Sequence, residues 1–214
     1  MCYHWQPEGR TIVALPKRPL VSRMTVAEFL ATPADGTGRL WQLVDGEPVA
    51  MAPASDMHGT IQAEVARLLG NYLRQARLPC RVVIAPGVSP RVRAKWNVRV
   101  PDLVVTCQPA FLARHLVEQP VLAVEILSPS NEAETWSSVW TYTTIPSMRD
   151  ILVIRSVEVG AELLTRQADG TWPADFTKLG DRVDLGSIGA EFGLVEFYAT
   201  TEFAEPGDPQ GGFT

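Results

Sequence analysis

The sequence predicts a single α/β (α+β) domain: one central mixed β-sheet flanked by helices, fronted by an N-terminal β-hairpin and followed by a C-terminal β-meander. Three observations carry this. One long segment, 57–77, has apolar residues at helical spacing. Several Val/Ile/Leu-rich runs of strand length are apolar on successive positions, the pattern of strands covered on both faces. An Asp-Gly pair joins two apolar runs near the N-terminus, a strong hairpin signal.

The elements follow in order. Residues 1–22 carry Pro7, Pro16 and Pro19 with little periodicity and read as an N-terminal arm. Thr25 followed by Glu28 has capping-box spacing, Val26, Phe29 and Leu30 form one apolar face, and Pro33 stops this short helix. Leu40 to Val44 and Pro48 to Met51 flank Asp45-Gly46 and read as antiparallel strands. From Met57 to Arg77, Ile61, Val65, Leu68, Leu69, Tyr72 and Leu73 recur at three and four; Asp56 is the expected cap and Pro79 the stop.

Three strands are then expected, Arg81 to Ala85, Val98 to Cys107 and Val121 to Ser128. A second helix runs from Ser130-Asn131-Glu132 to about Thr143, with acids in its first turn where the helix dipole favours them. Asp150 to Arg155 reads as a buried strand, Val159 to Arg166 as a half-exposed one, and Leu185 to Tyr198 as a weaker apolar stretch. The Pro, Gly and acidic residues after Glu202 predict a flexible tail, so the expected organisation is arm 1–22, one domain 23–199 and tail 200–214.

The 214 residues carry a formal charge of −5, which excludes a uniformly basic nucleic-acid coat. Charge is nonetheless segregated. Between Val65 and Pro101 there is no acid, and Arg67, Arg74, Arg77, Arg81, Arg91, Arg93, Lys95 and Arg99 make a basic stretch that suits either a phosphate backbone or an ordinary solvated face. Cys2, Cys80 and Cys107 form no CxxC pair and leave one thiol over in any disulfide scheme. That usage, with no run near the ~18 apolar residues of a membrane span and no signal-peptide pattern, leads to the expectation of a cytoplasmic protein making no membrane contact.

Two acids stand inside apolar strands, Asp102 in VRVPDLVV and Glu125 in VLAVEIL. A carboxylate there loses hydration and needs compensation. If the strands are neighbours, one Mg²⁺ could serve both, since it takes oxygen ligands and could activate water against a phosphodiester. Pairing of each acid with a buried Arg, or a place at a strand end, satisfies the same pattern.

The segments MTVAEFLA (24–31), LVDGEPVAMAPAS with His58 (43–58), VRVPDLVV (98–105), AVEILSPSNEAET (123–135) and YTTIPSMRDILVI (142–154) together resemble the Uma2 family. That family belongs to the PD-(D/E)XK nuclease superfamily, and the likeness runs from about Met24 to Tyr198. The resemblance implies a restriction-endonuclease-like core and metal-dependent hydrolysis of DNA, with Mg²⁺ or Mn²⁺ as the cofactor. It implies Asp102 and Glu125 as metal ligands, with the Ile126 carbonyl as a third, and it matches His58 to a family histidine that could bind metal or relay a proton. Two departures accompany it. The helix sequence NEAETWSSVWTYTT has neither Lys nor Arg where the family supplies a lysine, and Gln42 stands where the family has a glutamate. Gln42 can coordinate through its amide oxygen but brings no charge. A catalytically impaired descendant binding nucleic acid or protein is therefore the alternative, and a homodimer built on the hairpin and the helix bearing Trp136, Trp140 and Tyr142 is a third reading.

Overall fold

The structure is a computed structural model that describes residues 23–33, 36–112 and 115–204. The expected arm 1–22, with Cys2, and the tail after residue 204 lie outside the described residues.

The first helix, α1 (Val26–Ala31), has the expected capping box: Glu28 N donates to Thr25 Oγ1, and Thr25 N donates to Glu28 Oε2. Strands β1 (Trp41–Val44) and β2 (Glu47–Ala50) pair antiparallel around Asp45 and Gly46, both at positive φ as a two-residue hairpin requires. A Cβ at Gly46 would come within 2.7 Å of Arg23 Cβ, so glycine is needed for space as well as for φ.

Helix α2 (Asp56–Gln75) is capped one residue earlier than expected, by Ser55, whose hydroxyl accepts from His58 N. Its buried stripe, Ile61, Val65, Leu69 and Leu73, is the one the periodicity picks out.

The main sheet has the order β3 (Arg81–Ile84), β4 (Leu103–Thr106), β5 (Pro120–Leu127), β6 (Asp150–Arg155), β7 (Ala161–Thr165) and β8 (Thr177–Lys178). All neighbours are antiparallel except β5 and β6, which are parallel and joined through α3 (Glu132–Tyr142). The sheet is therefore mixed, and both faces are covered. Leu103, Val105, Leu122, Val124, Ile126, Leu152 and Ile154 meet α2 on one side. Val104, Ala123, Leu127, Ile151 and Val153 meet Val139 and Tyr142 of α3 on the other. This double burial explains why these strands read as continuous apolar runs rather than alternating ones.

Three expectations change. The run Val98 to Cys107 is not one strand. Val98 pairs with Leu43 of β1, Arg99 pairs with Val88, and the chain bends at Pro101-Asp102 before β4 begins. Pro101 has no N–H to give a ladder, which makes it a natural place for the break. Cys80 and Cys107, one step beyond the Arg81–Thr106 pair, are joined by a disulfide, so the cysteine usage no longer argues for the expected cytoplasmic setting. The weak stretch Leu185 to Tyr198 contributes to a separate hairpin, β9 (Arg182–Leu185) with β10 (Ala190–Gly193), and a 3₁₀ turn at Leu194–Tyr198 that complete the α2 side of the core. Phe203 continues this packing edge-on to Tyr198. None of the described helices is long and apolar enough to cross a membrane.

Candidate active site

The bend at Pro101 leaves Asp102 at the mouth of β4, and the Leu103–Val124 register continued by one residue sets Asp102 opposite Glu125 of β5. The two sequence-predicted acids are thus cross-strand neighbours, although 23 positions separate them in the chain.

Every polar atom of Asp102 that can accept is held. Its carbonyl accepts from Ala85 N at 2.9 Å and from Gln62 Nε2 at 2.8 Å. Its Oδ2 accepts from Ile126 N at 2.7 Å, and its Oδ1 lies 2.9 Å from His58 Nε2. His58 and Gln62 are one turn apart on α2, so one helix face supplies both contacts. The Ser55 cap fixes the start of that helix and with it the approach of His58.

Glu125 is 8% exposed, and its Oε1 accepts from the Tyr142 hydroxyl at 2.6 Å. Burial pushes the Glu125 carboxyl well above the usual carboxylate range, the charge of Asp102 adds to that push, and the Tyr142 bond opposes it. Burial likewise raises the Tyr142 hydroxyl well above its usual value, with the charge of Glu125 second, so Tyr142 stays a neutral donor.

Without metal the fold therefore favours a neutral Glu125. A carboxyl whose value is raised on folding contributes stability in full below its unfolded value, near pH ~4.3, and loses it as pH rises through the raised folded value. In EDTA, Glu125→Gln is expected to melt higher than wild type at neutral pH, with the gap closing towards about pH 4, where the wild-type carboxyl is neutral in both states. Thermal melts across that range check this, and a gap independent of pH would contradict it.

Among the described residues no group of three or more His, Cys, Asp and Glu side chains could hold a metal ion. Asp102 and Glu125 do fit Mg²⁺, which is commonly held by one or two carboxylates and keeps several waters. Two acids meeting in a largely buried place, one resisting ionisation partly because of the other, is a donor set that a divalent cation relieves.

Gln42 stands on β1, half-buried, with no hydrogen bond to either acid. The Leu43–Val98 pair continued by one residue sets it opposite Arg99 instead. Trp136 and Trp140 pack edge-on against Phe176, so much of the aromatic face of α3 is used within the chain. Sequence reasoning missed the polar parts played by Gln62 and Tyr142. The i, i+4 spacing of His58 and Gln62 was a usable signal, whereas Tyr142 is apolar core and hydrogen-bond donor at once and only its hydroxyl distinguishes the two.

Comparison with known proteins agrees with this architecture. A sequence model of the Uma2 family, described as "Putative restriction endonuclease", matches residues 26–194. The "Uncharacterized protein slr1290" of Synechocystis sp. is 29% identical over 161 residues, which span 74% of this chain and 83% of that protein. The crystal structure of "a putative nuclease belonging to DUF820" from Anabaena variabilis superposes with a TM-score of 0.66 over 82% of this chain and 98% of that one. At 16% identity, this second likeness is one of fold.

Proposed function

Because this chain belongs to the Uma2 family, whose model is described as "Putative restriction endonuclease", we propose that it hydrolyses phosphodiester bonds of DNA with the help of a divalent cation held by Asp102 and Glu125. The observation that carries the proposal is the pairing of these two acids across adjacent strands, with the Glu125 carboxyl pushed up by burial and by the charge of Asp102.

Bound Mg²⁺ or Mn²⁺ would supply Lewis acidity to the phosphodiester and ease deprotonation of the attacking water. The remaining work falls to the chain. Ile126 N and His58 hold both oxygens of Asp102, which fixes the carboxylate and removes rotamer freedom before substrate arrives. Tyr142 fixes one oxygen of Glu125 in the same way.

The test is cleavage of plasmid and single-stranded DNA by the full chain with Mg²⁺, Mn²⁺ or EDTA. Cutting that needs metal is expected. A second reading, a nuclease fold used for binding alone, is favoured by one observation: α3 has no Lys or Arg to face the substrate. Absence of cutting under every metal, together with absence of metal binding in calorimetry, would make that reading the better one.

A further inference from the structure

Residues 91–96 form a tight knuckle whose backbone is pinned from within while its cations, Arg91, Arg93 and Lys95, are all exposed. Asn97, 1% exposed, does most of the pinning. Its Nδ2 donates to Val92 O at 3.2 Å, to Arg93 O at 3.4 Å and to Asp45 Oδ1 at 3.1 Å, and its Oδ1 accepts from Asp45 N at 3.0 Å. Just beyond the end of α3, the Thr144 hydroxyl oxygen accepts from Arg91 N at 2.9 Å and from Val92 N at 3.2 Å. Arg93 takes a left-handed φ of 48°, which a non-glycine residue adopts at a cost. Charge carried only for solubility needs no such fixed backbone.

The basic residues between Val65 and Pro101 separate once the fold is known. Arg67 is paired with Glu64, Arg81 Nε donates to Gln108 O, and Arg99 is buried. Arg74 and Arg77 lie at the C-terminal end of α2, where cations answer the helix dipole. The knuckle holds the remainder, and exposed Arg23 joins it from the chain before α1: Arg23 Cζ lies 5.9 Å and Lys95 Nζ 5.6 Å from the centre of the Trp96 ring. Arg93 is paired with Asp45, and Lys95 interacts with the charge of Glu28, whose carboxylate is bound to Thr25. Among the described residues no carboxylate lies within ion-pair distance of Arg23, Arg91 or Lys95. The chain from Trp96 to Asp102 is six residues long, so at ~3.3 Å per residue the two lie within about 20 Å of each other. One strand of a duplex covers that distance in about six nucleotides.

We propose that this knuckle is a docking surface for the DNA backbone, with Arg23, Arg91 and Lys95 bonding to neighbouring phosphates on the flank of the stretch that the Asp102–Glu125 pair cuts. The assignment rests on the phosphodiester reading given above and deepens it by naming where the substrate is held. Exposed cations without acid partners, presented from a fixed backbone, complement a polyanion with regularly spaced charge. Charge-assisted bonds from guanidinium and ammonium to phosphate oxygen are the strong ones. Such contacts position a duplex without reading its bases, so binding through this surface is independent of sequence. The cations also lie outside α3, whose lack of Lys or Arg therefore does not leave the substrate without a positive surface.

The test uses the full chain in EDTA, where binding is read without cleavage. Short DNA duplexes of two unrelated sequences are followed by fluorescence anisotropy across a range of salt. Arg91→Gln combined with Lys95→Gln is expected to weaken binding to both duplexes about tenfold and to lower the salt slope by about two. Arg74→Gln combined with Arg77→Gln removes the same charge at the end of α2 and is expected to change binding by less than about twofold. All four side chains are exposed, so both double variants keep the fold. Equal losses in the two would mean that only net charge is felt, and would overturn the assignment. Unchanged binding by the knuckle variant, or no binding by wild type even at low salt, overturns it too. Metal-dependent cleavage by a knuckle variant that binds like wild type would sink the docking surface and leave the hydrolysis reading. Binding that needs Arg91 and Lys95, with no cleavage under any metal, would do the reverse.

Discussion

Asp102→Asn is expected to lower metal-dependent cleavage of plasmid DNA by about a thousandfold while leaving the melting temperature within a few degrees of wild type. The size follows from the several kcal/mol that metal polarisation contributes to phosphoryl transfer, each 1.4 kcal/mol being about tenfold in rate. The small structural cost follows from the contacts. Ile126 N can still donate to the amide oxygen of Asn, and the backbone carbonyl at 102 keeps its bonds from Ala85 and Gln62. What is lost is the negative charge facing Glu125. The same change relieves the repulsion that helps to keep Glu125 neutral, so a loss of activity cannot be assigned to unfolding. Cleavage assays beside circular dichroism melts separate the two quantities, and cleavage near the wild-type level would remove Asp102 from the metal site.

Leu69→Ala carries the largest expected cost to stability. Leu69 is fully buried in the middle of α2, within the cluster that joins the helix to β4, β5 and β6. Leucine truncation in such a setting costs about 3 kcal/mol through lost burial and the cavity left behind, which for a chain of this size lowers Tm by about 10 °C. In urea the midpoint is expected to fall with the slope unchanged. The consequence reaches the site, because α2 also carries His58 and Gln62 to Asp102. A cost below about 1 kcal/mol would mean that α2 is not seated by this stripe.

Much of this fold can be read from residue pattern because its strands are short, apolar and bounded by Pro or Gly, and because α2 has one clean stripe. Asp150–Arg155 and Arg81–Ile84 fall where the β-branched runs put them. The run VRVPDLVV hides its break, since apolar character continues through Pro101 while hydrogen bonding does not. That break is what makes Asp102 a residue at a strand mouth rather than one in a strand interior. The pairing of Asp102 with Glu125 depends on the register of β4 against β5, a long-range property that neither segment carries by itself. Arg99 reads in sequence as one of eight basic residues, and only its burial and unpaired Nε set it apart. The Cys80–Cys107 bond depends in the same way on register, here of β3 against β4.

The most direct measurement is an anomalous difference map from crystals of the full chain grown with Mn²⁺. A peak at coordinating distance from both the Asp102 and Glu125 carboxylates, absent in crystals of Glu125→Gln, is the expected result. A map with no peak between the two acids at saturating Mn²⁺, or with the ion bound elsewhere on the chain, would contradict the assignment of this pair as the metal centre.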